Sequence, residues 1–184
     1  MKKTITFISF ITILAMSTTA VYADEAKQSN YTSSYTSIEQ KDCLTLDSDN
    51  LGSIQECEPF NDIKVKVIEG DIRQSIALTR NEKEYNLEFW STVSPAFSSL
   101  GTKIEWRHQI GNPKELKGMI VRLEVNDDPE DLDHVTSFLV VSKITVEKIC
   151  VVGKILPQEK QNEVAREMLD SSTELPCLKS DNKE

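Results

Sequence analysis

Residues 103–125 read KIEWRHQIGNPKELKGMIVRLEV and predict two strands joined by a turn. On the first strand Ile104, Trp106 and His108 alternate with charged residues, which is the period of two typical of a half-buried strand. Gly111-Asn112-Pro113 turns the chain, and the second strand alternates in the same way. One apolar and one polar face on each strand favours antiparallel pairing in a sheet with its core on one side.

Further strands are predicted on both sides of this stretch, over residues 44–57, 63–78, 85–90, 135–144 and 146–156. One helix is predicted after them. Pro157 opens it, and an apolar stripe follows at Val164, Ala165, Met168 and Leu169. We therefore expect an α+β fold, in which one C-terminal helix packs on a mostly antiparallel β-sheet.

The two ends of the chain differ from this body. Residues 1–23 have a positive start, an apolar run and small residues before Ala23, which predicts a signal peptide cleaved between Ala23 and Asp24. An uncleaved membrane anchor is the alternative. We expect a flexible lead-in at 24–35, a single α+β domain at 36–178 with no transmembrane segment, and a disordered tail at 179–184. The protein is then periplasmic or secreted.

Four cysteines, Cys43, Cys57, Cys150 and Cys177, follow the predicted cleavage site. An even number of cysteines in an exported chain indicates two disulfide bonds. Of the three possible pairings we favour Cys43–Cys57 with Cys150–Cys177, because each pair is close in sequence. A zinc site is the alternative, but there is no Cys-x-x-Cys pair and the two histidines lie at no ligand spacing.

The chain is acidic, with a formal net charge of −9. Removal of residues 1–23 takes away two lysines and no acid, which leaves 19 basic against 30 acidic residues and a charge of −11. Such a domain should be repelled by nucleic acid and by anionic membranes and attracted to a basic protein. The alternative is that the charge serves only solubility.

Five charged residues form a candidate polar cluster: Glu69, Asp71 and Arg73 around a glycine, and Glu105 and Arg107 on either side of a tryptophan. If the two groups met in a cleft, paired carboxylates near a guanidinium could perform acid–base chemistry. The alternative for the first group is a bulged turn in which Arg73 pairs with a neighbouring carboxylate.

Metal, cofactor and nucleophile motifs give no positive prediction, so we expect no cofactor. Asp47 to Glu58 partly matches a calcium loop, but Leu51 occupies a ligand position, and the acidic stretch 126–133 fits no template. The phosphate-loop, dinucleotide and His-Glu-x-x-His motifs are absent. A Ser-His-Asp arrangement using His108 or His134 stays open, although the chain has no Gly-x-Ser-x-Gly.

Several short blocks spread over the chain resemble an uncharacterised family of small exported alphaproteobacterial proteins with paired cysteines. The blocks are Tyr35-Thr36, residues 69–73, 100–107, 139–143, 150–152 and 162–166, and Cys177. The chain is richer in lysine and asparagine and poorer in glycine than that pattern. The resemblance implies export and paired cysteines, and it implies no activity.

From these observations we expect an exported, non-enzymatic binding protein that recognises a basic protein, either as an inhibitor or as a secreted host-directed effector. One alternative is a small exported hydrolase that uses the acids around Glu69, Asp71 and Glu105. A structural component of the cell envelope is the other.

Overall fold

A computed structural model describes residues 29–128, 130–131, 133–171 and 174–179 of the chain. The predicted signal peptide, residues 24–28 of the lead-in and residues 180–184 of the tail lie outside this part of the chain. The described elements are β1 Tyr31–Ser37, β2 Leu44–Ser48, β3 Gly52–Phe60, β4 Ile63–Gly70, β5 Arg73–Arg80, β6 Lys83–Asn86, α1 Phe89–Thr92, β7 Phe97–Gln109, β8 Asn112–Asn126, β9 Thr136–Ile144, β10 Ile149–Ile155 and α2 Gln161–Asp170.

The ten strands form one mostly antiparallel sheet with the order β10-β9-β8-β7-β5-β4-β3-β2. β1 pairs with β7, and β6 pairs with β5. The single parallel link is the pairing of Arg73 with Ser98, which joins the two halves of the sheet. The predicted α+β class, with an antiparallel sheet and one C-terminal helix, is confirmed.

One apolar core is shared by both halves of the sheet. Inward residues of β4 and β5, such as Val65 and Ile76, belong to the same buried cluster as Trp106 of β7 and Leu123 of β8. The sheet therefore folds over itself around these side chains. The Trp106 indole stacks on the Phe60 ring at 5.1 Å between centroids, and its Nε1 donates to Thr36 Oγ1 at 2.9 Å. The buried indole thus has its hydrogen bond.

Helix α2 packs on the outer face of β8, β9 and β10. Ala165 and Leu169 are buried against a second cluster that includes Ile120 and Val141, as the predicted apolar stripe requires. A close approach of the helix needs a small residue below it. At Gly118 a Cβ atom would lie 2.7 Å from the Cδ2 atom of Leu169, so only glycine fits there without displacement.

Both disulfide bonds have the favoured pairing, Cys43–Cys57 and Cys150–Cys177. The second joins β10 to the segment that follows α2. That segment continues along β10, where the Leu178 N–H donates to the Val151 carbonyl at 2.8 Å. The chain after the helix is therefore tied back to the sheet by a covalent bond and by a backbone hydrogen bond.

Strand β1 begins at Tyr31, inside the range 24–35 in which we expect a flexible lead-in. Residues 31–37 pair with β7 along their whole length. The reason is that the polar side chains of β1 have partners. Ser33 Oγ lies 2.5 Å from Glu105 Oε1, and Ser34 Oγ lies 2.9 Å from His108 Nε2. The folded part thus starts about five residues earlier than the composition indicates.

Two other boundaries differ from the sequence prediction. Helix α2 begins at Gln161 and not at Pro157, because Lys160 has a left-handed backbone conformation and ends the preceding turn. Residues 85–90, predicted as a short strand, contain the end of β6 and the start of α1, whose Phe89 is fully buried. No helix in the described part of the chain has the length and apolar character needed to span a bilayer.

Candidate functional site

The five residues of the predicted polar cluster lie in two separate places. Glu69, Asp71 and Arg73 lie at the hairpin between β4 and β5. Glu105 and Arg107 lie in the middle of β7, on its outer face and next to α2. The structure therefore brings together the members of each group and keeps the two groups apart.

At the hairpin, Asp71 forms an ion pair with Arg73, and Gly70 pairs with Arg73 across the turn. The Asp71 carboxylate is largely exposed, so this ion pair contributes little to stability. This is the second of the two interpretations given above, in which Arg73 pairs with a neighbouring carboxylate. Glu69 does not take part and lies half-buried on the inward side, where its Oε2 accepts from Gln74 Nε2 at 2.8 Å.

On β7, Glu105 and Arg107 each form an ion pair with a residue of α2. Arg166 donates from Nε to Glu105 Oε1 at 2.6 Å and from Nη2 to Oε2 at 3.1 Å. Arg107 donates from Nε to Asp170 Oδ1 at 3.1 Å and from Nη2 to Oδ2 at 2.5 Å. Both contacts are two-pronged, the strongest geometry for this pairing.

The spacing of the four residues matches between strand and helix. Residues two apart on a strand are separated by about 6.8 Å, and residues four apart on a helix by about 6 Å. Glu105 and Arg107 therefore meet Arg166 and Asp170 at the same time, with opposite charges at each contact. Displacement of the helix by one turn would remove a partner from these buried groups, so the ion pairs fix its position along β7.

Strand β1 completes the network, a contribution that sequence reasoning missed. Ser33 Oγ donates to Glu105 Oε1 and accepts from Arg107 Nη1 at 2.8 Å, so it bridges the two charged residues of β7. Tyr35 accepts from Arg166 at 3.2 Å. Only the strand-favouring residues Tyr31, Thr32 and Tyr35 hint at a strand there.

The protonation of Glu105 follows from these contacts. Burial by itself raises the pKa of Glu105, which is only 7% exposed. The hydrogen bonds from Arg166 and Ser33 and the positive charges of Arg166 and Arg107 outweigh burial, and together they hold this pKa below its ordinary value. The carboxylate stays ionised at neutral pH, and both of its oxygens accept hydrogen bonds from Arg166.

A cleft of about 820 Å³ opens where the β2–β3 turn, the β4–β5 turn and the start of β7 meet. Glu69 and Asp71 line it, whereas Glu105 and Arg107 do not. All of its lining residues belong to the described part of the chain, and among them are four carboxylates but no lysine or arginine. The carboxylates are Glu39, Asp49, Glu69 and Asp71. The cleft therefore favours a positively charged ligand over an anion.

The loops considered for calcium use their carboxylates locally. Asp49 Oδ1 accepts from the backbone N–H groups of Leu51 and Gly52 at 2.7 and 3.0 Å, which closes the β2–β3 turn. In the connection between β8 and β9, Asp128 accepts from the N–H of Glu130 at 2.9 Å. The described residues contain no group of three or more His, Cys, Asp or Glu side chains placed to hold a metal ion.

The two histidines differ in their exposure to solvent. His108 is buried; its ring stacks on Phe60 and lies within hydrogen-bonding distance of Ser34 Oγ and the Gln109 carbonyl. His134 is exposed and faces Asp127 at 3.2 Å. Neither ring lines the cleft.

Comparison of the chain with protein-family models, curated proteins and solved structures finds no match. The resemblance to exported alphaproteobacterial proteins stays a prediction.

Proposed function

We propose that this is an exported, non-enzymatic binding protein that recognises a basic protein through the cleft. The supporting observation is the lining of the cleft, which includes four carboxylates and no lysine or arginine. A cleft lined by one sign of charge concentrates its field and attracts ligands of opposite charge. The net charge of −9 acts in the same direction at longer range.

The covalent framework supports export. Two disulfide bonds, with no free cysteine in the described chain, are typical of proteins that fold in an oxidising compartment. They hold the strands around the cleft before a partner arrives, since Cys43–Cys57 joins the start of β2 to β3 beside it. Such preorganisation lowers the entropic cost of binding.

Affinity capture tests this function. The oxidised protein, immobilised without residues 1–23, is exposed to periplasmic and extracellular extracts at physiological salt, beside an unrelated acidic protein of equal net charge. We expect at least one basic protein to be retained by this chain and not by the control. Retention of the same proteins on both supports, or of none, would contradict the proposal.

A further inference from the structure

Gln55 is a buried polar side chain without a partner. It lies on β3, is 8% exposed and lines the cleft. Its amide makes no hydrogen bond to any described residue, whereas the neighbouring amide of Gln74 bridges Glu69 and the N–H of Leu100. The Gln55 amide atoms are not among the fully buried unpaired atoms of the described chain, so they are reached from the cleft. A largely buried side chain whose amide opens into a cleft without a protein partner is placed to bind a ligand.

The strand register places Gln55 beside Glu69. Gln55 pairs with Val67, and Glu69 is two residues further along β4, so both side chains lie on the face that Val67 buries in the core. Diagonal neighbours of this kind are about 7–8 Å apart at Cα. Side chains that share a face at this Cα spacing can both reach one planar group with several donors.

Only some of the cleft carboxylates are neutralised within the chain. Asp71 pairs with Arg73, and Glu39 pairs with Lys41 at 2.7 Å. Glu69 contacts the neutral amide of Gln74, and among the described residues no cationic side chain lies within 4.0 Å of it. Glu69 is therefore a half-buried acceptor whose charge has no counterpart in this part of the molecule.

Two apolar side chains stand at the rim of the cleft. Leu51 is 77% exposed and Ile72 is 66% exposed, and both line the opening. They offer a surface for the aliphatic part of a long side chain, as the stems of lysine and arginine require.

We propose that the cleft receives one arginine side chain from an extended segment of a basic protein. The guanidinium lies between the Glu69 carboxylate and the Gln55 amide oxygen, and the aliphatic stem lies across Leu51 and Ile72. Arginine suits the site better than lysine, because its planar fork of donors reaches two separate acceptors at once. This inference rests on the proposed function and names the group that the cleft recognises.

Calorimetric titration with capped pentapeptides, each with one central residue between glycines, tests the assignment. The central residue is arginine, lysine or citrulline, the last being a neutral analogue of arginine with nearly the same shape. We expect saturable binding of the arginine peptide, weaker binding of the lysine peptide and a loss of at least tenfold with citrulline. Equal affinity for arginine and citrulline would overturn the proposal, as would tighter binding of free spermidine than of the arginine peptide.

Two substitutions and a control locate the site. Gln55→Leu and Glu69→Gln should each weaken binding of the arginine peptide at least fivefold. Glu58→Gln is the control, because it removes the same charge as Glu69→Gln from an exposed residue outside the cleft, and it should leave binding unchanged. Gln55→Leu should leave the unfolding midpoint nearly unchanged, because the amide that it removes makes no hydrogen bond within the described chain. Weaker binding in a destabilised Gln55→Leu protein together with full binding by Glu69→Gln would overturn the assignment.

The same variants separate this inference from the proposed function. If a captured basic protein binds the double variant Gln55→Leu/Glu69→Gln as tightly as the unmodified chain, the arginine site at these two residues is wrong, whereas recognition of a basic protein stands. If no basic protein is captured and no peptide binds, both are wrong.

Discussion

Glu105 on β7 and Arg166 on α2 form a two-pronged ion pair, with Nε to Oε1 at 2.6 Å and Nη2 to Oε2 at 3.1 Å. This pair and the contact between Arg107 and Asp170 fix the helix against the sheet on the outer face. The cleft opens elsewhere, at the β-turns. One set of charges thus supports the fold, and another set of carboxylates is left for binding.

The stability of the protein should fall in acid partly because of Glu105. Its pKa is lowered in the folded state, so its contribution is complete above the ordinary value of about 4.5 and is lost as the pH falls through the lower, folded value. Urea unfolding at pH 7 and at pH 3 measures this loss. In Glu105→Gln the difference between the two pH values should be smaller than in the unmodified chain.

Exposed Glu84, which pairs with Lys66 on the surface, provides the control for this experiment. Glu84→Gln should keep the acid dependence of the unmodified chain, since surface ion pairs contribute little. An equal reduction in both variants would show that Glu105 has no special part in acid stability.

Removal of one member of the buried pair on the outer face should be costly. Arg107→Met leaves Asp170 without its cation and should lower the free energy of unfolding by about 3–5 kcal/mol. The double variant Arg107→Met/Asp170→Leu removes both charges and should recover part of that loss. Additive losses in a double-mutant cycle, measured by urea unfolding, would show that the two side chains do not interact.

Gly118 should not tolerate a methyl group. A Cβ atom there would lie 2.2 Å from the Ser142 carbonyl oxygen and 2.7 Å from Leu169 Cδ2, so either β9 or α2 must move. We expect Gly118→Ala to lower the free energy of unfolding by about 1–3 kcal/mol. Gly70→Ala is the matched control, because nothing lies within 4 Å of its Cβ position, and it should change stability by less than about 1 kcal/mol. Equal effects of the two substitutions in urea would contradict the close packing of α2.

The Cys150–Cys177 bond should protect the segment after α2. It closes a separation of 27 residues, and its replacement by two serines should cost about 3–4 kcal/mol. The Leu178 amide, which donates to Val151, should then exchange with solvent much faster. Replacement of Cys43 and Cys57 is the control and should leave Leu178 protected, and equal loss of protection in both variants would argue against a local role.

Much of the sheet could be predicted from the sequence, because alternation of apolar and polar residues along a strand shows which of its faces is buried. The inward direction of Trp106 is an example. Both cysteine pairings were predictable for another reason, which is that the members of each pair are close in sequence. Strand β1 could not be predicted in this way, since its serines depend on Glu105 and His108, which come more than 70 residues later.

The candidate site was only partly predictable, for the same reason. The sequence predicts Glu69 and Asp71 as members of a polar cluster around a glycine, and both line the cleft. Gln55 was missed. It lies two residues before buried Cys57 on β3, so its polar side chain is on the same inward face of the strand. The cleft itself forms from turns that are distant in sequence. The alternation of apolar and polar residues within one strand does not indicate which turns lie side by side in the fold.

Nuclear magnetic resonance of the Gln55 side-chain amide tests binding in the cleft most directly. Titration with the arginine pentapeptide should shift the Gln55 amide signal in a saturable way, while the backbone signals of Ser33 and Asp170 on the outer face stay in place. Gln55→Leu identifies the signal by its disappearance. An unchanged Gln55 signal at saturation, with shifts confined to the acidic connection at 126–133, would contradict the account.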